Sequence, residues 1–197
     1  MNHAAKDSVK WNENVIIADA DYIDRVAFDL TVNFERMLER RIPKADMARW
    51  LECIALDGGL REGDHGIHVV LVHDKQCVGM DNFQPGNFAE QLNGKAFRGP
   101  LGEFTIHAVT VEDLVTKENL LADTVRLVCE QAEVKRIMVI PDEETAYEPI
   151  KKVLREMAGD RQATVFSMQP MPGGNFKQEI LGYSLMNALG IRADEIK

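Results

Sequence analysis

The chain has 197 residues, of which 45% are apolar and 28% charged, with a formal net charge of −9. That balance is the usual one for a packed globular protein and predicts one domain over residues 1–197, while the negative charge excludes a broad phosphate-binding face and leaves room only for a small basic groove. No apolar run approaches the ~20 residues of a membrane span, and the opening MNHAAKDSVKWNEN has no apolar signal core, so a cytoplasmic protein is expected.

Val15-Ile16-Ile17-Ala18 is a short β-branched run between polar neighbours, which suits a strand buried on both faces, and it ends at Asp19-Ala20-Asp21. From Tyr22 the apolar spacing becomes helical, with Ile23, Val26, Ala27, Leu30, Phe34, Met37 and Leu38 on one stripe. Pro43 is placed near the first turn of a second helix carrying Met47, Trp50, Leu51, Ile54 and Ala55, which stops at Gly58-Gly59. His68 to Val72 reads as a second buried strand. The stretch from Val78 to Gly102, rich in Gly, Asn, Phe and Pro, is the least regular, with at most a short helix over residues 88–92.

Phe104 to Val109 reads as a third strand, followed by a helix from about Lys117 to Ala132. Ile137 to Ile140 is a fourth strand ended by Pro141-Asp142-Glu143-Glu144, and a helix begins near Pro149. Ala163 to Phe166 is a fifth strand, and a last helix is expected from Asn175 to Gly190. Strands alternating with helices require right-handed crossovers, giving an α/β three-layer sandwich around a mostly parallel sheet of about five strands. The core spans about residues 14–167, with a C-terminal helical extension over about 174–190.

In such a sheet ligands sit beyond the carboxyl ends of the strands. Two of these ends are acidic, Asp19/Asp21 and Asp142/Glu143/Glu144. Carboxylates gathered on one rim repel one another unless a cation joins them, and Mg²⁺ or Mn²⁺ with oxygen ligands is the natural partner. Asp123, in Leu120-Leu121-Ala122-Asp123-Thr124-Val125, either points to that rim or complements its helix dipole. The candidate catalytic set is therefore Asp19, Asp21, Asp123, Asp142 and Glu144, and each of these acids, taken alone, also suits a turn or a helix cap.

The order of these acids resembles the PIN-like nuclease superfamily, including its NYN branch. Ile17-Ala18-Asp19-Ala20-Asp21-Tyr22-Ile23 is similar to the opening motif of that family, and Ala122-Asp123-Thr124-Val125 followed by Ile137 to Ile140 and an acidic turn is similar to its second half. The resemblance implies a Rossmann-like fold and a metal-dependent ribonuclease, with Asp19, Asp123 and Asp142 as metal ligands, Glu52 as a further acid and RNA as substrate, contacted by Lys95, Arg98 and Lys117. The family commonly has two Asp residues, one apart, ahead of an aromatic residue and often a Pro. Asp142 and Glu144 supply that spacing, whereas alignment on Tyr147-Glu148-Pro149 puts Glu144 and Ala146 there, and an inactive member of the family is then the alternative.

Val15 to Asp21 is also similar to the first motif of haloacid-dehalogenase-type phosphatases, in which Asp19 would be the nucleophile, Asp21 the general acid/base, and Asp142 and Glu143 would hold Mg²⁺. Tyr22-Ile23 and His73 depart from that pattern. A non-catalytic binding or assembly protein is the remaining class. Phe83, Phe88 and Phe97, with the last helix, form either core or a homodimer surface. Cys53, Cys77 and Cys129, odd in number and far apart, read as reduced thiols. His65, His68, His73 and His107 lack a helical zinc spacing, and Pro172-Gly173-Gly174-Asn175 reads as a turn that could meet an anion.

Overall fold

The computed structural model describes residues 10–157 and 159–196; residues 1–9, part of the segment read for a signal, lie outside them. In chain order the elements are β1 (Asn14–Asp19), α1 (Ala20–Leu38), β2 (Ala45–Asp46), α2 (Met47–Asp57), β3 (His65–His73), β4 (Phe83–Gln84), a π-helical turn (Phe88–Leu92), β5 (Ala96–Gly99) and β6 (Gly102–Thr110). Then follow α3 (Lys117–Cys129), β7 (Arg136–Ile140), α4 (Tyr147–Arg155), β8 (Gln162–Ser167), β9 (Lys177–Ile180) and α5 (Leu181–Ala188).

Seven strands form one sheet in the order β5-β6-β3-β1-β7-β8-β9, and all neighbours are parallel except β5 with β6. β2 and β4 pair separately. β1 lies in the middle, and its alternating side chains explain why its apolar run is unbroken. Ile16 and Ala18 join a cluster with residues of α1, α2 and α5, whereas Val15 and Ile17 join one with residues of α3 and α4. Each of these strand residues is fully buried, and burying a Val or Ile side chain is worth ~1.5–3 kcal/mol. The sheet is thus covered by helices on both faces. None of the described helices is long and apolar enough to cross a membrane.

The five-strand expectation is corrected by β5 and β9, which close the two edges of the sheet. Both were hidden because an edge strand buries little: Ala96 to Gly99 alternates exposed with half-buried, and Lys177 to Ile180 contains no fully buried residue. The last helix consequently starts at Leu181 rather than Asn175. Pro43 precedes β2 instead of opening α2, whose N-cap is Asp46, with its carboxylate accepting from Arg49 N–H at 3.1 Å. α4 starts two residues before Pro149, a position tolerated because the first helical turn has no N–H partner to lose.

At the start of β6, Gly102 has φ +129°, and an added Cβ would collide with the backbone of His65, its register partner. Only glycine fits there.

Candidate active site

Because β1, β3, β6, β7 and β8 all run the same way, their carboxyl ends share one edge. Asp19 ends β1 and is also the N-cap of α1, its Oδ1 accepting from Tyr22 N–H at 3.0 Å. Asp21 follows in the first turn, where a carboxylate also complements the positive end of the helix. Asp74 comes directly after β3, the neighbour of β1. Its backbone N–H donates to Asp21 Oδ2 at 2.7 Å. Thr116 caps α3 and so sets the start of that helix, which aims its first residue, Lys117, into the acids.

The Lys117 ammonium lies 3.3 Å from Asp19 Oδ1, 3.1 Å from Asp21 Oδ2 and 3.1 Å from Asp74 Oδ2. The Asp19 side chain is 3% exposed, that of Asp21 10%, that of Lys117 15% and that of Asp74 45%, so the cluster opens to solvent on the Asp74 side. Burial raises the Asp19 carboxyl above its ordinary value, more than Lys117 and the Tyr22 N–H lower it. For Asp21 burial acts in the same sense, but the Asp74 N–H and Lys117 outweigh it and the carboxyl is lowered. Burial works against the charge on Lys117, and Asp19 and Asp21 more than restore it, so the ammonium is held above the usual lysine range. Burial and the neighbouring Asp21, to which it hydrogen-bonds, push the Cys77 thiol up to about 11.

The carboxyl end of β7 adds a second acidic group. Ile140 pairs with Ala18, so Asp142 stands two residues beyond the partner of Ala18 on the adjoining strand. Its Oδ2 accepts from Arg25 of α1 at 2.9 Å, and its Oδ1 accepts from Glu144 N–H at 3.1 Å. Glu143 accepts from Met168 N–H at 2.7 Å. Tyr22 donates its backbone N–H to Asp19, and its hydroxyl is raised by burial and then by Glu143 and Asp142.

The edge therefore brings together Asp19 and Asp21, adds Asp74 and Lys117, and places Asp142 on the same edge after the adjoining strand, paired with Arg25. It does not bring in Asp123, which is exposed on α3 and pairs with Arg126 at 3.0 Å. Glu144 is exposed beside the Asp142 turn, and Ala146 is buried. Glu52 sits on α2, facing Gly99 of β5. Asp74 directly follows the apolar strand β3, as Asp19 ends β1, and that position is the signal in the sequence that marks it.

A model of one protein family matches residues 8–196. The chain belongs to DUF6621, a family of unknown function. No curated protein and no solved structure matches it.

In this DUF6621 chain, single ligand atoms of Asp21, Asp74 and Cys77 all lie within 4.8 Å of one another, close enough to share one ion. The three carboxylates around Lys117 hold one ammonium, which leaves two negative charges when all are ionised. Carboxylate oxygens partly open to water fit Mg²⁺ or Mn²⁺, and the protonated Cys77 thiol adds little to such hard ions.

Proposed function

We propose that the chain is a PIN-like, divalent-metal-assisted phosphodiester hydrolase, with RNA as substrate and a three-layer α/β/α core. The observation that carries this reading is the cation already held by the carboxylates: Lys117 stands among Asp19, Asp21 and Asp74 at 3.1–3.3 Å, with charge left over for a divalent ion. Asp21 and Asp74 are the metal-holding acids, and Asp142 faces the same edge. A bound divalent ion would supply a nucleophilic water and offset charge on the phosphate. Asp19 holds the first turn of α1 and anchors Lys117 from below. Lys117 pairs with Asp21 and Asp74 and offers its ammonium to an incoming phosphate oxygen.

The phosphatase reading fares worse on the same geometry. An attacking carboxylate must reach a phosphorus atom, whereas Asp19 is buried and its Oδ1 is occupied by Tyr22 N–H and Lys117. A non-catalytic binding role is favoured by one observation, that Lys117 neutralises part of the acidic set internally while Asp123 pairs elsewhere.

The deciding experiment incubates the purified chain with single-stranded RNA and Mn²⁺, beside Asp21→Asn and Asp74→Asn variants, with metal binding followed by calorimetry. Cleavage that requires metal and is lost in both variants is the expected result. Folded protein that binds Mn²⁺ through neither acid and leaves RNA intact would establish the non-catalytic role.

A further inference from the structure

The opposite edge of the sheet, at the amino ends of β3, β1, β7 and β8, contains a cavity of about 910 Å³. Its wall carries four basic side chains, Arg61, Lys135, Arg136 and Arg161, in a chain whose net charge is −9. Three acids, Glu13, Glu62 and Asp160, also line it. Their distribution is uneven. Glu13 pairs with Lys135 at 3.4 Å, and the Arg161 guanidinium is taken up by the backbone carbonyls of Val134, Cys129 and Gln131.

Arg61 and Arg136 have no carboxylate partner among the described residues. Each is anchored through one nitrogen. Arg61 Nη1 donates to Leu60 O at 2.7 Å, and Arg136 Nη1 donates to Gly58 O and to Gln162 Oε1, both at 2.6 Å. Nε and Nη2 of both side chains make no hydrogen bond within the described residues, and both residues line the same cavity. Gly59, at φ +101°, makes the room: a Cβ there would stand 2.5 Å from Arg136 Nη1. Two guanidinium groups on one cavity wall with no carboxylate partner suit an anion. Burial, and then Arg61, lower the Arg136 guanidinium below its ordinary value.

We infer that this amino-edge cavity binds a phosphate group of a small molecule, held by the free edges of Arg61 and Arg136. Guanidinium edges suit phosphate oxygens because they offer paired donors at matching spacing. The three acids on the rim and the overall negative charge select a compact anion over a long polyanion.

The test is calorimetry on the full chain at low ionic strength, with EDTA present so that no metal at the carboxyl edge contributes. Sodium pyrophosphate and adenosine 5′-monophosphate are the two probes, and the tighter one tells a free oxyanion from a nucleotide. Binding of either, weakened about tenfold or more in Arg61→Gln and in Arg136→Lys, is the expected result. Arg136→Lys keeps a positive charge near Gly58 O, and circular dichroism checks that both variants stay folded. Failure of both probes at millimolar concentration would overturn the inference. So would affinity unchanged in both variants, which would leave the arginines as caps for the end of α2, or affinity lost in Lys117→Met but kept in Arg61→Gln.

Discussion

Asp21 Oδ2 accepts two hydrogen bonds at once, from Asp74 N–H at 2.7 Å and from the Lys117 ammonium at 3.1 Å, and so ties β3 and α3 to the first turn of α1. Truncating Lys117 leaves three carboxylates without their shared cation, whereas truncating Asp21 leaves Lys117 with Asp19 and Asp74. Lys117→Met is expected to destabilise the fold by roughly 3–5 kcal/mol, the cost of breaking a largely buried ion pair from one side. Urea denaturation measures it. Lys117→Met combined with Asp21→Asn should cost less than the sum of the two single changes, and strict additivity would show that the contact contributes nothing.

The same substitution separates a metal site from a purely structural cluster. With the ammonium gone, the carboxylates lose their internal competitor. Mn²⁺ should then bind Lys117→Met more tightly than wild type while RNA cleavage falls. Weaker binding of Mn²⁺ in that variant would mean that Lys117 shapes the metal site rather than competing for it.

Stability should depend on pH at both extremes, with opposite signs. The Lys117 ammonium is raised in the folded state, so its contribution is complete below the unfolded lysine value of ~10.4 and is lost as pH rises through the folded value. Asp21 is lowered, so its contribution is present above the unfolded value of ~3.9 and is lost as pH falls through the folded one. Asp19 is raised and opposes Asp21 in the acid range. Denaturation midpoints should owe no change to Lys117 up to about pH 10 and decline above it in wild type, with a shallower decline in Lys117→Met.

Cys77 offers a chemical probe of the same contacts. With its thiol pushed up to about 11 by burial and by Asp21, its thiolate is scarce at pH 8. Iodoacetamide should label it roughly a hundredfold more slowly than a free thiol, two pH units of suppression. Asp21→Asn should speed that labelling. Peptide mapping by mass spectrometry distinguishes Cys77 from Cys53 and Cys129.

Asp123→Asn should do almost nothing. Its pairing with Arg126 is exposed and local, and such pairs contribute ~0–1 kcal/mol. RNA cleavage and metal affinity should both match wild type. A large loss of activity would bring Asp123 back into the reaction.

Much of this architecture can be read from the residues alone, because the central strands are buried on both faces and are therefore written as unbroken apolar runs. Val15 to Ala18 and Ile137 to Ile140 are the clearest cases. The edge strands are not legible in this way: Lys177 to Ile180 pairs by backbone alone, which leaves its side chains free to be polar. The site divides along similar lines. Asp19 and Asp21 stand out because a change of period, from strand to helix, falls on them. Lys117 shows no such mark, since its role depends on where α3 begins relative to β1, a relation between residues almost a hundred positions apart. Asp123 misled because helix position alone does not tell which way a side chain turns.

Asp19 does two jobs, closing the first turn of α1 and holding Lys117, and these have different chemical requirements. An N-cap accepts Asn or Ser as readily as Asp; an ion pair does not. Asn at this position would thus keep the first turn of α1 while giving up the pairing with Lys117. Asp74 has no cap to maintain, and its half-exposed carboxylate contacts only Lys117 within the cluster. Replacing it therefore removes a carboxylate from the Lys117 cluster while leaving every helix cap in place.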